Sequence, residues 1–546
     1  MSLLTRIDEV SGKRKFKKVW FGIVCLLFLG LIILPSIYVL FEAVGKWDSL
    51  TEVWNDSEKM GWIYSALINS FSIALIVTIL DIIVGLPMAW IMVRKDFPGK
   101  KYLDTLIDMP LAFPTSALGF SVAIFWAMPD IEMTIPGLGI VVNPYVLIIL
   151  LHLIFTFPYM VRCLSGILEQ IDQNCETAGM TLGASRFTAV RTITLPLFRA
   201  GLITGFILCF ARSLSETGGT LIALRMIGAE HSFFTGPTFI AMMKEGGGDA
   251  TPDLIFISVI LIILAIVFLF VAKYLMSRLK IPWSKVWPKW ERKVSRGLAV
   301  KVKDNFTIIF MIIMILLPSF FIFTFLFAEP SSIAYGELMS SIGLSFMIAT
   351  VAVAFSVVFG IPMAIYIARN GNTKLGKILD NLINVPLIIP TTALGFSLGL
   401  FWGELNMSSL GILLVIFGHI AFTYPLLVRN IIGAIEEVDP AYEEISRTLG
   451  AKPFQAFRKV LLPIIQSSVI GGCILAFTRS LGETGATIAI DKTVMTVPVY
   501  IDKLIKGAMA TGDSVYPAAI ASIVLILICF VMMFLVRYVT KKKGAE

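Results

Sequence analysis

Two arginine–glutamate pairs stand within otherwise apolar stretches of this 546-residue chain. Arg212 precedes Glu216 by four residues, as Arg479 precedes Glu483, so the members of each pair lie on one face of a helix. Ionisable groups are costly inside a membrane and usually face the interior of a helix bundle or a water-filled path. Arginine suits phosphate-like oxygens, so each pair could line a transport pathway; alternatively, each could only neutralise itself on its own helix. The sequence leaves both interpretations open.

Hydroxyl residues and glycines accompany both pairs and enlarge the candidate site. Gly218 and Gly485 follow the glutamates, and such small residues permit close helix approach or a local break, which serves either packing or a gate. The candidate pathway or substrate residues are Arg212, Ser213, Glu216, Thr217, Arg479, Ser480, Glu483 and Thr484.

Prolines followed by threonines, and two histidines, recur at matching places. Pro114-Thr115 and Pro390-Thr391 predict kinks whose freed carbonyls are satisfied by hydroxyl groups, with a gate or pathway contact as the alternative. His152 and His419 stand alone in apolar stretches, which favours buried hydrogen bonding over metal ligation. We therefore expect no metal site and no catalytic residue in this chain.

The composition places these residues in a membrane. Apolar residues make up 57% of the chain and the mean hydropathy is +0.87, more than a soluble core of ordinary proportions can bury. The net charge of +8 arises from basic residues in short loops beside apolar stretches, which is a topology signal rather than a nucleic-acid surface. The six cysteines are scattered without a Cys-x-x-Cys pair, so neither a disulfide framework nor a zinc site is indicated.

The apolar stretches predict an all-α polytopic membrane protein with about 12 transmembrane helices, since each is near the length that crosses a bilayer. Basic residues cluster in alternate loops, beginning with 13–18, which predicts that these loops and both termini face the cytoplasm. The predicted spans are 19–44, 64–93, 102–127, 143–161, 200–226 and 254–277, then 305–328, 339–369, 378–403, 408–429, 466–490 and 518–537.

The second half of the chain repeats the first. The segment 85–89, Gly-Leu-Pro-Met-Ala, matches 360–364, Gly-Ile-Pro-Met-Ala, and further matches follow along the chain. Because each half has an even number of spans, the two six-helix repeats run parallel and are related by a pseudo-twofold axis along the membrane normal. We expect a first repeat at 1–290 and a second at 291–546, with a pathway between them.

A short polar segment recurs in both halves between the fourth and fifth spans. An aspartate that suits a helix N-cap, a glutamate in the first turn and a glycine that stops the helix follow one another as Asp172, Glu176 and Gly183, and again as Asp439, Glu443 and Gly450. Each residue lies 267 positions from its match. The pattern predicts two short helices, at about 173–183 and 440–450, that form two equivalent docking surfaces.

The first of these segments, Glu-x-Ala-x-x-x-x-Gly followed by Ile-x-Leu-Pro, resembles the signature of inner-membrane permeases of binding-protein-dependent ABC importers. The resemblance covers nearly the whole chain, which looks like the fused type, similar to ferric-iron, thiamine and aminoalkylphosphonate permeases. Both copies depart from the usual Glu-Ala-Ala, the first with Glu-Thr-Ala at 176–178 and the second with Glu-Glu-Ile at 443–445. The resemblance implies that each short helix is a coupling helix that docks in a cleft of an ATPase subunit, through Glu176, Ala178, Gly183, Glu443, Glu444 and Gly450.

The resemblance also implies partners and a compartment. Two copies of a cytoplasmic ABC ATPase would use ATP and Mg, and an extracytoplasmic solute-binding protein would deliver the substrate. The chain itself would bind no cofactor and no nucleic acid, and would lie in the bacterial inner membrane. The sequence has no Gly-x-x-x-x-Gly-Lys-[Ser/Thr] motif, so this chain does not itself hydrolyse nucleotide through a P-loop.

The Glu-Thr-Gly sequence at each pair also resembles the matching sequence of permeases for phosphate, sulfate and molybdate. This favours a phosphonate, phosphate or other oxyanion as substrate, although Glu216 and Glu483 cancel the arginine charges and leave ferric iron or thiamine open. An ion-gradient-driven secondary transporter would also show parallel halves, but it would leave the two capped helices unexplained. An intramembrane enzyme would need a catalytic dyad, nucleophile or metal cluster, and only the arginine–glutamate pairs are available.

Overall fold

A computed structural model describes residues 8–127, 139–140, 143–246, 251–278, 287–295 and 297–543, which form helices and connecting segments without a strand. The first half contains α1 Lys15–Gly45, α2 Trp47–Asn55, α3 Ser57–Arg94, α4 Lys100–Ala112, α5 Thr115–Ala127, α6 Pro144–Gln170, α7 Gln173–Thr181, α8 Arg186–Leu197, α9 Gly201–Leu214, α10 Gly218–Met226, α11 Gly236–Gly246 and α12 Thr251–Arg278. The second half contains α13 Pro288–Val294, α14 Gly297–Phe327, α15 Tyr335–Asn370, α16 Lys374–Ile388, α17 Thr391–Glu404, α18 Gly411–Glu436, α19 Ala441–Thr448, α20 Pro453–Leu481, α21 Gly485–Ile490, α22 Val497–Thr511 and α23 Tyr516–Lys543.

The membrane-crossing helices agree with the predicted number of spans. Within the described residues, nine helices are long and apolar enough to cross a membrane, or up to 12 if each of three bent pairs forms one span. The bent pairs are α4 with α5, α8 with α9, and α16 with α17. The all-α polytopic architecture is thereby confirmed. Its elements correspond in order between the halves from α3 and α15 onward, with α8 and α9 together matching α20.

Two of the predicted spans, 102–127 and 378–403, bend at the expected prolines but far more sharply than a kink. Helices α4 and α5 meet at 105°, and α16 and α17 meet at 106°. A proline disfavours helical backbone in the residue before it, and Phe113 and Ile389 accordingly adopt extended backbone with ψ of 131° and 128°. Pro114 and Pro390 therefore produce sharp turns between two helices, beyond the kinks expected from the sequence.

The predicted spans 200–226 and 466–490 are also discontinuous. Helix α9 ends at Leu214 and α10 begins at Gly218, while α20 ends at Leu481 and α21 begins at Gly485. Thr217, at the first break, has φ −128° and ψ −54°, outside the helical range. Each interruption contains the glutamate of a pair, Glu216 or Glu483, whereas the arginine lies in the last turn of the preceding helix.

The first span of each half packs against the other half. Ser397 of α17 accepts from the backbone N–H of Val39 in α1 at 2.9 Å and donates to the carbonyl of Pro35 at 2.7 Å. Ser121 of α5 makes the same pair of bonds with α14, accepting from Ile322 N–H at 3.0 Å and donating to Pro318 at 2.6 Å. The two halves are thus interlocked by exchanged first helices.

Arginines tie the helices together at one end of the bundle. Arg162 of α6 contacts Asp104 and Asp108 of α4 at 2.7 and 2.6 Å. In the second half, Arg429 contacts Asp380 at 2.6 Å. Because α3 and α15 also finish here with arginines in their last turns, we call this end the basic end and the other the opposite end.

Candidate functional site

Each arginine–glutamate pair predicted from the sequence forms an ion pair between the last turn of a helix and the break that follows it. The Arg212 Nη1 to Glu216 Oε2 distance is 2.7 Å, and the matching distance from Arg479 to Glu483 is 2.5 Å. The glutamate side chains are 3% and 4% exposed, whereas the arginines retain 17% and 20%. The guanidinium groups are thus the more accessible members of both pairs.

The second oxygen of each glutamate caps the short helix that follows. Glu216 Oε1 accepts from the backbone N–H of Gly219 at 3.1 Å, and Glu483 Oε1 accepts from Ala486 N–H at 2.9 Å. A carboxylate at a helix N-terminus satisfies an otherwise unpaired N–H. Both carboxylate oxygens of each glutamate therefore have partners within the protein, one the arginine and the other the backbone of the next helix.

The two arginines meet at one cavity although they belong to different halves. Arg212 and Arg479 both line a cavity of about 50 Å³, to which neither Glu216 nor Glu483 contributes. The rest of the lining comes from the α4–α5 turn, from α6 and from α20 with its end: Leu111, Ala112, Phe113, Pro114, Thr115, Tyr159, Leu475, Thr478 and Gly482. The guanidinium groups also lie over aromatic rings, Arg212 at 4.8 Å from the Phe155 centroid and Arg479 at 5.3 Å from that of Phe422.

The threonines beside the pairs lie where the halves touch. Thr217 and Thr392 join their hydroxyl groups across the interface, and Thr391 donates to the Ser215 carbonyl at 3.3 Å. A β-carbon added at Gly218 would lie 2.5 Å from Thr484 Oγ1, and one added at Gly485 would lie 2.6 Å from Thr217 Cβ. The halves are in contact at the two helix breaks, directly beyond the arginine-lined cavity.

The two histidines occupy equivalent hydrogen-bonded positions. His152 contacts Ser213 and Thr220, both at 2.8 Å. His419 contacts Ser480 at 2.7 Å and Thr487 at 3.1 Å. Ser213 and Ser480, proposed as pathway residues from the sequence, therefore hold α9 to α6 and α20 to α18. Among the described residues, no group of three or more His, Cys, Asp or Glu side chains converges on a possible metal position.

The predicted docking helices α7 and α19 lie at the basic end, one in each half. Glu176 is buried against the membrane-crossing helices, with Arg94 Nη2 at 3.4 Å and Thr194 Oγ1 at 3.0 Å. In the second half, Arg369 contacts Glu443 at 2.8 Å. These two glutamates thus fix the helix to the bundle, while Ala178 and Glu444 are exposed.

Arg94 and Arg369 are functional candidates that our reading of the sequence missed. Arg94 donates to the carbonyl of Ile171 at 2.8 Å, and Arg369 donates to that of Val438 at 3.0 Å, which are equivalent positions ahead of the docking helices. The sequence did carry a signal, because both arginines end the second span of their half. They had been interpreted only as loop charges that orient the chain.

The ends of α7 and α19 have the same geometry. Gly183 and Gly450 have φ of +93° and +90°, and the backbone bonds around them close a Schellman motif in each copy. The residue before each glycine is an exposed leucine: Leu182 is 90% exposed and Leu449 is 84% exposed. A large apolar side chain is thus exposed at the same place in both halves.

An ion cluster that we did not predict joins the halves at the opposite end. Arg225 of α10 is 2% exposed and contacts Glu230 at 2.8 Å, Glu245 at 2.6 Å, and Asp502 of α22. Glu245 also accepts from Lys506 at 2.9 Å. Burial raises the pKa of Asp502 to about 6, although Arg225 acts in the other direction. The cluster connects α10 and α11 of one half to α22 of the other.

Comparison with known proteins agrees with this architecture. The chain matches the family of binding-protein-dependent transport system inner membrane components twice, over residues 81–281 and 360–544. A probable sulfate transport system permease protein of Marchantia polymorpha is 33% identical over 222 residues, which are 39% of this chain and 74% of that protein. The molybdenum transport system permease protein of Escherichia coli K12 is 31% identical over 206 residues, 37% of this chain and 90% of that protein.

A sulfate transport system permease protein of Salmonella typhimurium is 32% identical over 209 residues, 36% of this chain and 71% of that protein. The chain therefore belongs to the inner-membrane components of binding-protein-dependent transport systems, the permeases of ABC importers. It is a two-domain fusion, since the family domain occurs twice in one polypeptide. It is accordingly a multi-pass membrane protein and a transport component.

Proposed function

We propose that this chain forms both halves of the translocation pathway of an ABC importer for a tetrahedral oxyanion. The substrate class includes sulfate and molybdate, which name the transport systems of the similar permeases, and phosphate and phosphonates, expected from the sequence. A solute-binding protein delivers the anion at the opposite end, and two ATPase subunits dock at the basic end. In this orientation both termini are cytoplasmic.

The observation that carries the substrate class is the cavity shared by Arg212 and Arg479. Two guanidinium groups from different halves are the charged groups of its lining. Guanidinium recognises the oxygens of an oxyanion through paired hydrogen bonds, with greater geometric specificity than an ammonium group. The cavity adjoins the helix break of the second half through Gly482, so a solute that passes between the halves would reach it.

The same geometry argues against a cationic substrate such as ferric iron or thiamine. A cation would need the carboxylates of Glu216 and Glu483. Each already uses one oxygen for its arginine and the other for a backbone N–H, and neither lines the cavity. The arginines therefore remain the groups best placed to meet a substrate.

The ATPase partners are proposed to bind the exposed leucines of the docking helices. Leu182 and Leu449 present apolar surface at the ends of α7 and α19, and burial of a leucine contributes about 1.5–3 kcal/mol. Glu176 and Glu443 hold these helices on the ends of α3 and α15. Movement of a docked ATPase would thus reach the bundle through the Arg94 and Arg369 contacts.

The test measures uptake in vesicles that contain the permease, its ATPase and its binding protein. Radiolabelled sulfate, molybdate, phosphate, aminoalkylphosphonate, ferric iron and thiamine are compared for the wild type, Arg212→Gln and Arg479→Gln. We expect an oxyanion to be the transported solute and both variants to lower its uptake at least tenfold with little change in basal ATP hydrolysis. Normal oxyanion uptake by both variants would contradict the role of the arginines.

A matched double variant distinguishes substrate binding from helix stabilisation. Arg212→Gln/Glu216→Gln removes both charges of the ion pair and leaves no unpaired buried charge. If Arg212 only neutralises Glu216, the double variant recovers uptake relative to Arg212→Gln, because unpaired buried charge is the main defect of the single variant. If Arg212 meets the anion, the double variant stays as low as the single one.

A further inference from the structure

A cavity at the basic end is suited to a lipid from the surrounding bilayer. It measures about 390 Å³ and lies at the basic end, between the end of α3, helix α8 and the first helices of the second half. Most of its lining is apolar, and charged groups are confined to a few positions. The residues that matter below are Leu86, Trp90 and Lys95 of the first half, Arg186 and Phe198 around α8, and Ala299, Lys303 and Asp304 of α14.

The equivalent place in the second half can be identified through the exchanged first helices. Helices α1 and α14 contain matching π-helical stretches, Phe28–Ile33 and Met311–Leu316, followed by Pro35 and Pro318. The offset between them is 283 positions throughout. Ala299, Lys303 and Asp304 of α14 therefore stand where α1 has Phe16, Trp20 and Phe21.

Aromatic rings fill that equivalent place. Trp20 of α1 stacks on Phe359 of α15 with 5.8 Å between ring centroids, and on Phe16 with 6.5 Å. Phe21 stacks on Tyr366 at 4.0 Å. Where α14 packs against the first half, the matching positions are Ala299, Lys303 and Asp304, so no aromatic ring enters the cavity from α14. The cavity is thus the volume of side chains that one copy has and the other lacks.

An apolar cavity of this size favours the binding of an apolar molecule. The cavity is partly open to the surroundings and mostly apolar, so a molecule from outside can enter it and cover that apolar surface. Helix α8 directly follows the docking helix α7, so an unfilled space beside it would weaken the support of the docking surface. The second half meets the same need with aromatic side chains.

Charge along the cavity indicates what the occupant is. Lys95 lies one residue beyond the end of α3, whereas Leu86 lies nine residues deeper, a depth of about 14 Å at the rise of an α-helix. At the basic end, Lys95 and Lys303 contact Asp304, and Arg186 is exposed. Three bases against one acid leave the rim positive, while the deeper part is apolar. The complementary molecule has an anionic head and an apolar chain.

We propose that this cavity binds one anionic phospholipid of the surrounding bilayer, with an acyl chain between α3 and α8 and its phosphate at Lys303 and Arg186. The lipid takes the place that Phe16, Trp20 and Phe21 occupy in the second half. Lipid tails are already in an apolar medium, so the preference over annular lipid comes from packing contacts along the chain and from the positive rim. The occupant braces the helix that follows docking helix α7.

The test measures lipid retained by the full chain in detergent. Wild-type protein, equilibrated with phosphatidylglycerol and then stripped by increasing collision energy in native mass spectrometry, should keep one phosphatidylglycerol after other lipids are lost. Ala299→Phe/Lys303→Trp, which restores two rings of the other half, should lower that occupancy at least tenfold. The control Leu298→Phe, on the same helix at a 77% exposed side chain outside the cavity, should retain the lipid. Retention by Ala299→Phe/Lys303→Trp, or no retention by the wild type, would overturn the proposal.

A second set of variants tests the head group. Arg186→Gln/Lys303→Gln leaves the apolar cavity in place, so it should still bind lipid but lose most of the preference for phosphatidylglycerol over phosphatidylcholine. An unchanged preference would refute the assignment of the phosphate to these two bases. If Ala299→Phe/Lys303→Trp fails to fold, Ala299→Phe alone provides the same comparison, since it fills the cavity without removing a charge. Occupation of the wild-type cavity by detergent alone would also refute the proposal.

Discussion

The two halves of the chain agree closely in some regions and differ sharply in others. The arginine–glutamate pairs, the histidines with their hydroxyl partners, the proline turns and the docking helices superimpose residue on residue. Among the residues that the structure describes, the ion cluster around Arg225 occurs once, and Asp81, buried in α3, has Ser356 at its equivalent place. The basic-end space beside α3 is a cavity in one half and a stack of rings in the other.

The difference separates what the importer needs twice from what it needs once. Two ATPase subunits and a two-sided pathway would require every docking and lining element in both copies. Elements that bind a single molecule, or that close only one end of the pathway, need to be present only once. In a fused chain the halves can diverge at such places, whereas two identical chains in a dimer cannot. The predictions below test this division, from the largest expected effect to the smallest.

The largest effect should come from the docking leucines. Leu182→Asp and Leu449→Asp each replace an exposed apolar contact with a charge that must be desolvated against the ATPase. We expect each variant to lower ATP-dependent uptake at least tenfold and the pair to abolish it, with normal amounts of protein in the membrane. Uptake in reconstituted vesicles measures this. Leu298→Phe, exposed elsewhere on the basic side, is the control, and wild-type uptake by both aspartate variants would exclude these leucines from docking.

The arginines that hold the docking helices should come next. Arg94→Gln and Arg369→Gln each remove charge-assisted hydrogen bonds of about 1.5–3 kcal/mol. The side chain of Arg94 is 8% exposed and that of Arg369 is 20% exposed, so we expect the larger loss for Arg94→Gln. The readout is the ratio of solute transported to ATP hydrolysed, which should fall while ATPase binding persists. Equal ratios in both variants and the wild type would show that these contacts do not transmit the ATPase movement.

The glycines at the ends of the docking helices should give a smaller and symmetrical effect. Gly183→Leu and Gly450→Leu place a side chain at φ near +90°, which costs about 1–2 kcal/mol, although no heavy atom lies within 4 Å of the new β-carbon. We expect both variants to uncouple ATP hydrolysis from uptake to a similar degree, because the two backbone geometries agree. Gly166→Leu, a helical glycine with open space around it, is the control. Normal coupling in both end variants would contradict the prediction.

The ion cluster at the opposite end should give the smallest effect, visible as a pH dependence. The pKa of Asp502 is raised to about 6 by burial, above the value of about 3.9 for an unfolded chain. As the pH falls, the folded state therefore binds a proton at Asp502 at a higher pH than the unfolded chain does. The resulting increase in the free energy of unfolding is present at low pH and is lost as the pH rises through 6. Between pH 7 and pH 5, the wild type should gain on the order of 2 °C in melting midpoint relative to Asp502→Asn. A pH-independent difference would contradict the raised pKa.

Much of this architecture could be predicted from the sequence because local signals determine it. Hydropathy located the spans, and the N-cap and glycine patterns located α7 and α19, which begin at Gln173 and Ala441. The prolines at 114 and 390 marked the bends, although the sequence did not show that the chain turns through more than 100° there. The break after Glu216 was not placed, because an apolar run with small residues is compatible with one continuous helix.

Contacts between segments that are far apart in the chain could not be predicted from the sequence. Periodicity does not show which half a first helix packs against, so the exchange of α1 and α14 was not expected. Most ion-pair partners of Arg94, Arg225 and Glu245 lie far from them along the chain, and local spacing in one sequence does not relate residues so far apart. The cavity beside α8 is visible only once α1 and α14 are compared in space, because it results from missing side-chain volume.

The central claim is that one copy of this chain supplies both halves of the pathway and both docking surfaces. The most direct test is the mass of the detergent-solubilised complex with its ATPase, measured by native mass spectrometry. We predict one copy of this chain with two ATPase subunits, and one ATPase subunit when either Leu182 or Leu449 is replaced by aspartate. Two copies of this chain in the complex, or two ATPase subunits retained by each single variant, would contradict the account.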